Sequence, residues 1–128
     1  MKTFLKLLSK SEIGQSMVEF ALTLPLLLTI LCGILDFGWI YANTYQVEHA
    51  AFEGARYASV CPSSEVTKEA IENKVKEIMP GIDSVTASIS GKVVSVTVTK
   101  DITIFTYVAS TFFGPKYHAV STVTAAIN

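Results

Sequence analysis

"GQSMVEFALTLPLLLTILCGILDFGWIYANTYQVEHAAFEGARYASV", residues 14–60, decides how the rest of this chain can fold. From Gln15 to Val60 it reads as one helix, with Pro25 the only notable breaker. Phe20 to Leu35 is uncharged and dominated by Leu, Ile and Ala; its sixteen residues fall short of a span, since a bilayer needs ~20. Continuing through Asp36 to Trp39, Ile40 and Tyr41 supplies the missing length. Trp39, Tyr41 and Tyr45 then form an aromatic girdle at the outer interface, with Asp36 within reach of lipid headgroups. Pro25 removes the hydrogen bond to the Ala21 carbonyl and is expected to bend or loosen the helix, which membrane helices tolerate.

Beyond the span the helical pattern continues but its surface changes. Val47, Ala50, Ala51, Gly54, Ala55 and Ala58 recur at three- and four-residue spacing, a stripe of small side chains suited to close backbone approach. The opposite side carries Glu48, Glu53 and Arg56. One helix over 15–60 extends roughly 70 Å, so about half of it projects past the hydrocarbon as a stalk. Packing is the function of the stripe, against helices of a filament or against the chain's own domain.

Cys61-Pro62 ends the helix. A second helix is expected to start at Ser63 or Ser64 as N-cap, with Glu65 in its first turn. Val66, Ala70, Ile71, Val75 and Ile78 share one face, and Pro80-Gly81 stops the run. The period then changes to two. Val85, Ala87 and Ile89 alternate with Ser and Thr, Ser90-Gly91-Lys92 is a tight turn, and Val94, Val96 and Val98 begin a second strand reaching toward Ile104. Residues 105–113, FTYVASTFF, read as a short helix or a loop. Tyr117 to Ile127 alternates again as a last strand. These elements bury little core by themselves, so their stability is expected to draw on the stalk or on neighbouring subunits. The fold class is therefore α+β: a long hydrophobic transmembrane helix, then a small domain of one helix and about three antiparallel strands.

The chain has 128 residues, half of them apolar, and a net charge of −1. No basic patch with interleaved aromatics is present, so no nucleic-acid partner is expected. Lys2, Lys6 and Lys10 precede the oily run, and between Glu12 and Glu48 the only charges are Glu19 and Asp36. That asymmetry favours a cytoplasmic N-terminus, with the lysines resting on anionic lipid at about 1 kcal/mol each. Cys32 and Cys61 fall on the same helix about 40 Å apart, beyond disulfide reach, and neither has metal-ligand spacing. His49 and Glu53 share a helix face as an ordinary surface pair, and Glu53 with Arg56 makes an ion pair. His118 has no nearby acid, and no nucleophile arrangement or phosphate loop occurs. No enzyme activity, cofactor, metal or small-molecule substrate is expected.

The remaining oddity is Glu19, a carboxylate where the oily run begins, five residues after Gly14. A secretory signal needs small residues at its cleavage site, which "IYANTYQ" lacks; a lipoprotein signal needs one before its cysteine, where Leu31 stands. Glycine followed by a hydrophobic helix with glutamate fifth, "G-QSMVEF", resembles the processing site of type IV pilin-like precursors. Within that class, VEFAL, LP, DFG and EGARYA together make residues 14–58 similar to the TadE-like family, minor pilins or pseudopilins of the tight-adherence (Flp) pilus machinery. The resemblance implies cytoplasmic cleavage by a prepilin peptidase between Gly14 and Gln15, with Glu19 and Phe20 completing recognition. It implies that Glu19 then pairs with a neighbour's N-terminal amine and sets helix stagger. A tolerated interfacial glutamate is the plain alternative, and cyclisation of Gln15 would remove the amine.

The implied organisation is a leader over 1–14, a helix over 15–60 that is in the membrane to about 41, and an extracytoplasmic α+β domain over 61–128. Gly14, Gln15, Glu19 and Phe20 serve processing; Glu19, Pro25, Asp36, Ala50, Gly54, Ala55 and Ala58 serve assembly and helix packing. Expected partners are the prepilin peptidase, other pilins and pilus platform proteins, and membrane lipid. The competing reading is an uncleaved single-pass anchor for an extracytoplasmic binding domain. Whether the chain enters the filament, caps it or stays in the envelope is open at this level.

Overall fold

The computed structural model describes residues 12–62 and 64–127, with side chains at all of these except 12, 13, 108 and 113. The leader lysines Lys2, Lys6 and Lys10 and the candidate cap Ser63 lie outside the described residues. Helix α1 runs Glu12–Val60, 49 residues, and passes through Pro25 without interruption. Hydroxyls along its oily part bond to its own backbone. Thr23 Oγ1 donates to the Glu19 and Phe20 carbonyls at 3.0 and 3.2 Å, and Thr29 Oγ1 donates to the Pro25 carbonyl at 2.8 Å. A polar group so satisfied costs little in apolar surroundings.

The chain divides into two compact units, the first ending at Leu35 and the second running Asp36–Asn128. In the first, Leu22, Leu26, Leu27, Ile30, Ile34 and Leu35 all expose their side chains. By length and composition this helix is able to cross a membrane.

The second unit contains the rest of α1, helix α2 (Lys68–Ile78), strands β1 (Ser84–Ser90) and β2 (Val93–Thr103), the short helix α3 (Tyr107–Phe113) and strand β3 (Lys116–Ala126). The sheet is an antiparallel meander in the order β1-β2-β3, with α3 in the second connection. Ser90 pairs with Val93 across the two-residue loop Gly91-Lys92. Gly91 has φ +60°, and among the described residues no non-glycine has positive φ, the pattern of a hairpin turn with glycine first. The second strand ends at Thr103, and Ile104 N–H makes one further bond, to the Pro115 carbonyl at 3.3 Å.

Helix α2 starts later than expected. Its N-cap is Thr67, whose Oγ1 accepts from Ala70 N–H at 3.2 Å, and Glu69 rather than Glu65 occupies the first turn. The reason lies just upstream. Glu65 N–H is taken by the Pro62 carbonyl at 2.9 Å in a turn, and Val66 is buried before the helix begins. The far end differs too: Ile78 is exposed and Met79 is buried. Met79 leaves helical geometry (φ −128°, ψ 87°) while its N–H bonds the Val75 carbonyl at 3.0 Å, so the terminating residue and not the last helical one enters the core.

The core is made of unequal contributions. From α1 come Val47, Ala50, Ala51, Ala55 and Ala58; from α2 and the sheet come the larger Ile71, Val75, Val94, Val96, Val98 and Ile102. Small residues on the long helix let bulky β-branched ones approach its backbone. Gly54 shows how closely: a Cβ there would stand 2.5 Å from Val75 Cγ2 and 3.3 Å from Val96 Cγ1. The expected stalk is thus a wall of the C-terminal unit.

Candidate processing and assembly site

Gly14 lies in α1, two residues past Glu12, the first described residue. Gln15, Glu19 and Phe20 follow with exposed side chains. No basic side chain among the described residues pairs with the Glu19 carboxylate. Downstream, Phe20, Leu24 and Leu27 border a shallow apolar groove. A carboxylate thus stands at the start of a helix surface otherwise fit for lipid or for other helices.

The second group of expected residues is placed differently. Ala50, Gly54, Ala55 and Ala58 face the unit's own sheet and α2. Of the two partners the stripe permits, this structure supplies the chain's own domain. The stripe also begins earlier than the small residues do. Asp36 and Asn43 are buried on it, with Ile40 half-buried between them. Asp36, expected near headgroups, is 4% exposed, and Thr106 donates its hydroxyl to Asp36 Oδ2. Asn43 donates to the Trp39 carbonyl at 2.9 Å and accepts from Lys100 Nζ at 3.0 Å. Trp39 meets Phe105 edge to face, with centroids 5.5 Å apart. Residues 36–43 therefore hold the segment around 100–106 against α1.

These polar partners were out of sequence reach because each pairs α1 with a position far along the chain. The same holds for His118. The β2–β3 register sets Asp101 opposite it, and Asp101 Oδ1 lies 2.5 Å from His118 Nδ1. The expectation that His118 lacks a nearby acid is corrected by that pairing. Asp101 N–H in turn donates to Asp83 Oδ2 at 2.6 Å. The expected Glu53–Arg56 pair is present at 3.5 Å.

Elsewhere a side-chain hydrogen bond with Cys61 pushes the Tyr57 hydroxyl above its ordinary range. Glu77, bonded to Lys74 Nζ at 2.9 Å, holds that ammonium above its ordinary range as well. Any stability from the Lys74 pair is present below the ordinary lysine range and is lost as pH rises past it. Both cysteines are free. Among the described residues no three His, Cys, Asp or Glu side chains gather as a metal site would require.

No curated protein and no solved structure matches this chain. A family model described as "TadE-like protein" matches residues 14–56. The match runs from Gly14 through Glu19, Pro25 and Asp36 to Arg56, past the Gly54 contact, and the segment carrying those residues is a TadE-like segment.

Proposed function

We propose that this chain is the precursor of a minor pilin or pseudopilin of tight-adherence (Flp) type IV pili, cut by a prepilin peptidase between Gly14 and Gln15. The observation that carries the reading is Glu19 on an exposed apolar helix, without an ion pair among the described residues, fifth after Gly14 and inside the TadE-like segment. Cutting leaves an ammonium at Gln15. A cation is unfavourable at a helix N-terminus and costs several kcal/mol in the hydrocarbon. Glu19 lies one turn on, about 6 Å along the axis. Its carboxylate offsets the amine of its own chain or a neighbour's, and pairing between chains sets the stagger of packed helices. Before assembly α1 anchors the protein in the membrane, with residues 1–14 cytoplasmic and the C-terminal unit outside, available to other pilins and platform proteins. The chain is acted on by the peptidase and carries out no catalysis.

The test is the intact mass of the membrane-bound protein from its native host. The expected chain starts at Gln15, Gly14→Arg retains the leader, and Glu19→Leu is processed normally but fails to enter pili. A native chain that still starts at Met1 overturns the reading in favour of an uncleaved single-pass anchor.

A further inference from the structure

We propose that the segment 105–113 is a second membrane contact, an aromatic foot that lies in the outer lipid interface beside the span. The inference rests on the membrane-spanning reading of α1. Three large side chains of this segment turn away from the core: Phe105 is 72% exposed, Tyr107 86% and Phe112 80%. From Ile102 to Pro115 the chain carries no charge, with Asp101 and Lys116 at its borders. An uncharged stretch with exposed aromatics is unusual on a surface meant for water. It suits the headgroup–acyl boundary, where amphipathic rings concentrate.

The occupant is identified by where the segment is fastened. Thr106 donates to Asp36, the residue that directly follows the uncharged run Phe20–Leu35. Phe105 packs on Trp39 of the expected aromatic girdle. Phe105 therefore adjoins Trp39, and Phe37 and Tyr41 are likewise exposed where α1 leaves the oily run. Hydroxyls of the foot are satisfied internally, as those of the oily run are: Ser110 and Thr111 both donate to the Tyr107 carbonyl at 2.8 Å. Burial of Asp36 adds to the case, because a carboxylate at this depth is tolerated when bonded and turned away from lipid. Lipid meets all of these features at once.

The proposal is tested with the full chain in phosphatidylethanolamine–phosphatidylglycerol vesicles containing brominated lipids, which quench indole by depth. In a Trp39→Phe background, single tryptophans are introduced by Tyr107→Trp, Phe112→Trp, Leu28→Trp and Thr124→Trp. Interfacial burial of about 5–10 Å predicts that Tyr107→Trp and Phe112→Trp lose roughly half their emission to lipids brominated near the headgroup. Leu28→Trp is quenched by deep bromines and Thr124→Trp by neither. Circular dichroism of each variant checks that the unit is folded, and either foot position alone is sufficient for the reading. Quenching at Leu28→Trp without quenching at either foot position overturns the foot, leaves the span intact and points to a protein partner for the rings. Absence of quenching at Leu28→Trp overturns the span and the foot together.

Discussion

Residues 14–35 and 36–60 belong to one helix and have opposite surfaces. The first part exposes leucine, isoleucine and phenylalanine around its circumference. The second buries a stripe of alanine, with polar residues and exposed aromatics such as Phe37, Tyr45 and Phe52 on the remaining sides. Both parts are helical, the first lacking the one backbone bond that Pro25 cannot donate. What differs is the medium each side-chain set fits: large apolar groups suit hydrocarbon, whereas small ones admit a sheet and a second helix at close range. Hydrophobicity alone would rank the first part as the better core, yet the core forms around the second, because shape decides what packs on a helix.

The strongest way to break this contrast is to divide the chain at it. A fragment spanning 36–128 is expected to melt cooperatively, and one spanning 62–128 to show no cooperative transition by calorimetry, having lost Val47, Ala50, Ala55 and Ala58 from the core. A cooperative melt of the shorter fragment would show that the helix is a stalk after all. Next in size is a pair of glycines. Gly54→Leu drives a side chain into Val75 and Val96 and is expected to lower the stability of the C-terminal unit by about 3 kcal/mol. At Gly33 an added Cβ meets nothing within 4 Å, so Gly33→Leu leaves the melt unmoved. The smallest effect compares the carboxylates of the two parts. Asp36→Ala strands the Thr106 hydroxyl and is expected to cost about 1–3 kcal/mol in denaturant titration. Glu19→Ala leaves that titration unchanged and alters only assembly. Equal effects from the two would erase the distinction between them.

Much of this was legible in the sequence because it depended on local pattern. The oily run, the alanine spacing over 47–58, the valine alternation in β2 and the Ser90-Gly91-Lys92 turn all depend on neighbours a few residues away. The misreadings share the opposite property. Thr67 displaced Ser63 and Ser64 as cap because Val66 is held by the core, and Met79 replaced Ile78 because the helix ends where the core needs a longer reach. Asp36 was placed at the headgroups and His118 without an acid because their partners Thr106 and Asp101 are brought near only by the fold. At Gly14 and Glu19, by contrast, the whole pattern lies within five residues, and both fall inside the stretch that the TadE-like family model matches.

Sharing α1 between two units also imposes an order on the protein's birth. The alanines of the stripe leave the ribosome early, while Ala119 and Ile127, which complete the core, leave it last. At about 5–20 residues per second, several seconds separate them. Through that interval the anchoring half is already complete and the stripe has nothing to rest on. The C-terminal unit therefore closes only after β3 has been delivered, so a chain truncated within β3 should be a target for proteases even though its apolar helix is intact.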